Sequence, residues 1–260
     1  MAKPKVIFFG NGPLADTALA VLCKSCDIIF HAHTKDDLET VKSLKREHPE
    51  AFGILASFGV LIKSDILNLF EPEGILNIHP SLLPKYRGAS PIESAILAGD
   101  TSFSVSVMKL VRAMDAGPLY YQETLSGLPL DKSAIYSALA TAGATWLTAH
   151  LTSLPTPKPQ DDSQATFTQK LNKSLSRLTP ETDSAEITLR KIVAYQDFPK
   201  PKYTLLGQDV IILSAHVATS ATPRDLSIPC ADGKFVIVDR LQPLSRKPMD
   251  ARSFLNGLRR

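Results

Sequence analysis

The 260-residue chain predicts an α/β fold, a doubly wound sheet domain followed by a smaller β-rich domain. Three observations predict it. Short apolar runs alternate with helical periodicities through the first part of the chain. The stretch Leu154-Pro-Thr-Pro-Lys-Pro-Gln-Asp-Asp162 then reads as an extended, semi-rigid spacer, because proline fixes φ and removes a donor. Beyond it the runs become short and β-rich, at the spacing of a small barrel. The expected domains are 1–154 and 169–260, joined by a linker over 155–168.

Taken in order, Lys5 to Phe9 is a strand. Gly10-Asn11-Gly12 is a turn, and Pro13 suits the first position of a helix whose apolar stripe is Leu14, Ala18, Leu19 and Leu22. Gly10 to Ala15 also fits a dinucleotide-binding fingerprint. That motif needs an acid at the end of the next strand, and the run Asp27 to His33 has its acid at the beginning. The preferred reading is a tight strand-to-helix turn beside a ligand crevice. Asp36 to His48 is an exposed helix, Phe52 to Ala56 a strand and Ser57 to Ile62 a loop. Ser90 to Ala98 is a helix with Ser90 as cap, and Phe103 to Leu110 and Leu119 to Thr124 are extended. Asp131 caps a long helix that runs to Leu151. In the second part, Ser184 to Gln196 is a helix, followed by β runs at Tyr203–Leu206, Val210–Val217 and Lys234–Leu241.

The stretch Asn77 to Asp115 organises the rest. A strand begins at Gly74-Ile75-Leu76 and must leave the sheet at His79, because Pro80 and Pro84 cannot donate to a ladder. Asn77 and His79 are two apart and so share one face of the strand. An amide, an imidazole and the carboxylate of Asp115 can then meet outside a strand's carboxyl end, where open α/β sheets bind ligands. These groups suit acyl-type transfer between amines. Asn77 and His79 can donate to the oxygen of a tetrahedral intermediate, and Asp115 can orient the imidazole or manage the amine's proton. A polar strand end with no chemistry is the competing reading of the same residues.

The run Asn77-Ile-His-Pro-Ser-Leu-Leu-Pro-Lys-Tyr-Arg-Gly-Ala-Ser-Pro-Ile92, with Gly99-Asp100 and Met114-Asp-Ala-Gly-Pro-Leu119, closely resembles the 10-formyltetrahydrofolate-dependent formyltransferases. Within that family it is most similar to the branch that formylates initiator methionyl-tRNA for translation initiation. The resemblance implies a Rossmann-like catalytic domain, an OB-like C-terminal barrel and the catalytic trio Asn77, His79 and Asp115. It implies a folate-contacting turn at Ser81, Leu82, Leu83 and Pro84, and a pterin-contacting loop at Phe58, Gly59 and Val60. Those loop residues read equally as core packing. The implied co-substrate is 10-formyltetrahydrofolate, with no metal. Other acceptors in the family are amino-sugar nucleotides, and water in the hydrolase. The family's basic, glycine-rich insertion after the second strand has no counterpart in the short segment His31 to Asp37.

Composition and charge bound the function. Hydrophobic residues make up 44% and charged residues 21%, the balance of a soluble globular protein. No apolar run approaches the roughly 20 residues of a membrane span, and the N-terminal apolar segment is too short for a signal peptide, so a cytoplasmic protein is expected. A monomer is expected as well. Residues 1–164 hold 14 Lys/Arg against 17 Asp/Glu, whereas residues 165–260 hold 15 against 9. The basic second part suggests a polyanionic partner, with Arg190, Lys191, Lys200 and Lys202 as candidate tRNA contacts. A solvated basic surface is the alternative. Cys23 and Cys26, with His31 and His33, form a conceivable zinc set, but an intervening strand separates the pairs and simple thiols are preferred.

Overall fold

A computed structural model of the chain describes residues 2–244 and 246–258. The chain divides into two compact units, one of residues up to Ile92 with Thr101–Gln169, the other of Glu93–Asp100 with Lys170 onwards.

The first unit is built on a six-stranded sheet of β1 (Lys5–Gly10), β2 (Asp27–Ala32), β3 (Phe52–Ala56), β4 (Ile75–His79), β5 (Ser102–Lys109) and β6 (Leu119–Ser126), in the order β2-β1-β3-β4-β5-β6. The pairs among β2, β1, β3 and β4 are parallel, with Gly53 opposite Ile75 and Leu55 opposite Asn77. β5 and β6 run antiparallel to their neighbours. The β5–β6 connection is short and carries no helix, so it cannot return the chain for a parallel pairing. The sheet is parallel from β2 to β4, where α1 (Pro13–Ser25) and α2 (Leu38–Glu47) supply two of the crossovers, and antiparallel at the β5–β6 edge.

Alternation along β1 explains the layering. Ile7 and Phe9 join Val41 of α2, Ile66 of α3 (Ser64–Leu67) and Phe70 in one fully buried cluster. Burying side chains of this size contributes about 1.5–3 kcal/mol each. Val6 and Phe8 point the other way and are equally buried. The long helix α5 (Lys132–His150) packs against α1 and β5. Asp131 caps it, its carboxylate accepting from Ala134 N at 2.7 Å. Gly10 ends β1 beside the end of β3: a Cβ there would lie 1.9 Å from the Ala56 carbonyl oxygen, and φ is +153°.

Residues 155–168 run along this same unit. Lys158 pairs with Leu119, and Arg87 forms a bridge with Phe167. Thr166 N donates to Pro84 O, and Arg87 N donates to Thr166 O.

The second unit carries most of α4 (Pro91–Ala98) and an antiparallel sheet. Its strands are β7 (Lys202–Leu205), β8 (Gln208–Ala218), β9 (Ser227–Pro229), β10 (Phe235–Pro243) and β11 (Met249–Asp250), ordered β11-β10-β8-β7 with β9 also on β10. The helix α6 (Ala185–Ala194) starts at Ser184, whose hydroxyl accepts from Ile187 N. Ile192 of α6 enters a core with Val210, Ile212, Val236, Val238 and Leu241, which Phe254 of α7 (Ala251–Leu258) closes. Among the described residues, no helix is long and apolar enough to cross a membrane.

Candidate active site

The ends of β3 and β4 and the loop that follows β5 build the site, all within the first unit. β3 ends at Ala56, and Ser57 follows with φ +51°, turning the chain so that its carbonyl accepts from Asn11 N at 3.2 Å. β4 ends at His79, after which Pro80 carries the backbone out of the sheet. β5 ends at Lys109 and leads into the loop that holds Asp115. The cavity between these ends has a volume of about 310 Å³ and is lined by Phe58, Gly59, Asn77, His79, Asp115 and Tyr136 among others.

The structure thus brings Asn77, His79 and Asp115 together. Asn77 and His79 are each only 5% exposed, which places their polar atoms in a dry setting where hydrogen bonds act strongly. His79 Nε2 lies 3.2 Å from the Tyr86 carbonyl, an acceptor that fixes a proton on Nε2. Its Nδ1 is 3.8 Å from Asp115 Oδ1, a charge-pair separation and too long for a hydrogen bond.

Asp115 is held in a left-handed conformation, φ +48°, which is costly for a residue with a side chain. Its other oxygen accepts from Gly88 N at 2.8 Å. Two residues on, Gly117 sits where a Cβ would lie 1.7 Å from the Lys109 carbonyl oxygen, so the loop closes tightly onto the end of β5. The carboxylate is therefore fixed from the turn after β4, across the mouth of the site.

The implied folate residues divide. Phe58 and Gly59 line the cavity. Phe58 also packs edge-on against Phe9, so the core and pocket readings of that side chain both hold. Val60 packs against the core and does not line the cavity. Ser81 and Leu83 are buried and Leu82 is half-exposed, and neither they nor Pro84 line it. The turn is built from within: Ser81 Oγ donates to Lys85 O at 2.7 Å, and the fully buried Ser106 Oγ donates to Ser81 O at 2.6 Å and accepts from Leu83 N at 3.1 Å. Gln122 Nε2 reaches both Leu83 O and Ser106 Oγ.

The candidate tRNA contacts are not four free charges. Lys191 forms an ion pair with Asp183 and also reaches Thr179, and Arg190 lies over Gly99. Lys200 is exposed in a left-handed turn, and Lys202 opens β7. Cys23 is exposed and Cys26 buried. The His31 ring lies tilted against His33 and bonds the Gly10 carbonyl, so both imidazoles belong to the β1–β2 edge.

Sequence reasoning gave no role to Tyr136, Ser106, Gln122, Arg87 or Gln160. Ser106 was legible only as an alternating strand position. Gln160 was hidden inside a proline-rich run that reads as a spacer.

The family model described as formyl transferase matches residues 11–151, and the model described as formyl transferase, C-terminal domain, matches residues 170–259. The chain belongs to the formyl transferase family. A methionyl-tRNA formyltransferase of Chloroflexus aggregans is 34% identical over 246 residues, covering 88% of this chain and 79% of that one. One from Thermus thermophilus is also 34% identical, over 84% of this chain and 73% of that one. Among solved structures, a variant of HypX from Aquifex aeolicus matches 98% of the chain with a TM-score of 0.76 at 17% identity. The chain spans about half the length of that protein, 49%. WlaRD, a sugar 3N-formyl transferase, gives a TM-score of 0.66 at 17% identity, and a Clostridium thermocellum methionyl-tRNA formyltransferase 0.64 at 17%. These cover 95% and 96% of this chain and the whole of each neighbour, and they establish the shared fold.

Proposed function

We propose that this formyltransferase moves the formyl group of 10-formyltetrahydrofolate to the α-amine of initiator methionyl-tRNA. The observation that carries the reading is the convergence of Asn77, His79 and Asp115 in one cavity at the sheet's carboxyl edge. The cavity fits the reacting end of the donor. Leu55, Phe58 and Ile78 give it an apolar lining, Gly59 gives close backbone approach, and its volume of about 310 Å³ suits a ring and a formyl group but not a whole folate.

In this reading the acceptor amine adds to the formyl carbon, and the carbonyl oxygen takes up negative charge. The Asn77 amide donates a hydrogen bond to that oxygen, and the His79 Nε2–H, turned from the Tyr86 carbonyl to the substrate, supplies a second. The Asp115 carboxylate accepts the proton released as the amine becomes an amide. Collapse breaks the bond to the folate nitrogen, which takes that proton from Asp115 and leaves as tetrahydrofolate. No nucleophilic side chain is required, because two positioned substrates react directly. Ser81 to Pro84, Phe58, Gly59 and Val60 hold the donor, directly or through the turn that Ser106 supports. The C-terminal unit contributes RNA contacts, the protein is cytoplasmic, and it acts as a monomer. Residues 1–154 form the catalytic domain, 155–168 the link and 169–260 the tRNA-binding domain.

The names of the related sequences favour methionyl-tRNA as acceptor. One observation favours a second reading. β2 ends at Ala32 and α2 begins at Leu38, leaving a short segment with Asp36 and Asp37 where tRNA-acting relatives are expected to carry a basic insertion. The alternative acceptor is an amino-sugar nucleotide. The test is a formyl-transfer assay with 10-formyltetrahydrofolate and, in parallel, methionyl-tRNA, amino-sugar nucleotides and water. Formylmethionyl-tRNA as the preferred product supports the proposal. A formylated sugar nucleotide, or free formate, as the main product replaces it with the second reading or with a hydrolase.

A further inference from the structure

The Asp115 loop is gripped from outside the strand ends by one side chain. Gln160 Nε2 donates to the Asp115 carbonyl at 2.8 Å and to the Gly117 carbonyl at 2.7 Å. Its Oε1 accepts from Arg87 Nε at 3.1 Å and from Arg87 Nη2 at 2.7 Å. Arg87 is itself only 4% exposed and is balanced by Asp162 at 2.7 Å. The amide of Gln160 therefore has both ends occupied, and its orientation is dictated: oxygen toward the guanidinium, nitrogen toward the loop.

The two ends of this clamp converge on one carboxylate. Arg87 precedes Gly88, whose N–H holds the Asp115 carboxylate. Gln160 holds the Asp115 backbone in its left-handed φ, a conformation that costs a residue with a side chain. The segment bearing Gln160 and Asp162 is sewn to the same turn by Thr166 and Thr168: Tyr86 N donates to Thr166 Oγ1, and Thr168 N to Arg87 O. We infer that Gln160, oriented by Arg87, is a positioning residue that sets the Asp115 carboxylate against His79 for formyl transfer. The inference rests on the proposed function for its catalytic meaning, and on the geometry alone for the clamp itself.

Two variants separate positioning from simple packing. Gln160→Glu keeps the oxygen that meets Arg87 but has no N–H for the loop, and it brings charge toward two carbonyls. Gln160→Leu removes both functions at similar volume. If Gln160 served only to satisfy Arg87, Gln160→Glu would behave like the unmodified chain. If it positions Asp115, both variants lose turnover by roughly 100-fold, the cost of an ångström-scale misplacement, while KM for the folate donor stays within about two-fold. A second readout is independent of activity. Amide exchange at Gly88 reports whether its carboxylate partner is in place, and it should quicken in both variants while thermal unfolding of the chain remains cooperative.

Normal turnover in Gln160→Glu, or unchanged Gly88 exchange in both variants, overturns the inference. If the unmodified chain formylates no acceptor, the proposed function fails, and the clamp is then decided by Gly88 exchange alone. Should Gln160→Leu not fold, Gln160→Glu, which retains the Arg87 pairing, carries the test.

Discussion

Removing the Ser106 hydroxyl should expose how the turn after β4 is held. Ser106 is fully buried, and its oxygen makes three bonds: to Ser81 O, from Leu83 N and from Gln122 Nε2. In Ser106→Ala, Gln122 keeps its bond to Leu83 O at 2.8 Å, but the Leu83 N–H and the Ser81 carbonyl lose these partners. Both residues are almost wholly buried, and the gap left by one oxygen is too small to admit water. An orphaned buried group costs about 1–3 kcal/mol. With two such groups and some relaxation of the turn, the total should be about 2–4 kcal/mol. That cost has two destinations. If the turn stays in place, the first unit loses stability, and its midpoint falls by roughly 4–16 °C at about 2–4 °C per kcal/mol. If the turn shifts to find new partners, stability is partly recovered and donor affinity falls instead, tenfold for each 1.4 kcal/mol or so. Trp146, the only tryptophan, lies in α5, so its fluorescence follows this unit on heating. Isothermal titration with a tetrahydrofolate analogue gives the other part. A variant with an unmoved midpoint and unchanged folate affinity would refute the claim that Ser106 supports this turn.

Other outcomes follow from the same geometry. Asn77→Ala and His79→Ala should lower turnover roughly 100- to 1,000-fold while folate binding changes little, and single-turnover kinetics will show whether either residue can be spared. Asp115→Asn should behave similarly if the carboxylate takes the amine proton. For RNA, Lys200→Gln with Lys202→Gln should weaken methionyl-tRNA binding and flatten its salt slope by roughly 0.7–0.9 for each phosphate no longer neutralised, measured by titration at several salt concentrations. Lys191→Gln should mainly reduce stability through the broken pairing with Asp183, and an equal effect on RNA affinity would contradict that division. Burial holds the Lys45 ammonium below its ordinary 10.5, despite bonds to the Pro49 and Ala51 carbonyls. The folded chain then binds this proton less tightly than the unfolded chain, so the charge opposes folding below the folded pKa and the penalty fades as pH rises toward about 10.5. Lys45→Met should flatten that alkaline rise in stability, and denaturant titrations from pH 7 to 10.5 on both proteins will show it.

The parts of the fold that were readable in the sequence are those set by local signals. Pro13 and the Leu14–Leu22 stripe specified α1, Asp131 caps the helix it was expected to cap, and Phe52–Ala56 is a strand with those very ends. β9, β11 and α7 were not readable. β9 is three residues and β11 two, stable only because β10 supplies their partners, and no periodicity survives at that length. The antiparallel edge was equally hidden, since strand direction depends on what the connection can reach and not on the residues of β5 and β6 themselves.

The site shows the same split at finer scale. Pro80 and the two-residue spacing place Asn77 and His79 at one strand end from the sequence alone. Asp115 was brought in by its resemblance, because a residue 36 positions beyond His79 can be assigned to a site only through its motif or its fold. What the sequence could not carry is the support. Arg87 and Gln160 are 73 residues apart, and Ser106 and Ser81 are 25 apart, so each bond depends on the sheet having formed. Gln160 is the sharper case, because the alternating prolines around it argue for a spacer that touches nothing. Those prolines do keep the segment extended, and an extended segment is what lets Lys158 pair with Leu119 and puts Gln160 alongside the Asp115 loop. The same local stiffness that reads as a linker therefore also delivers a side chain to the catalytic carboxylate.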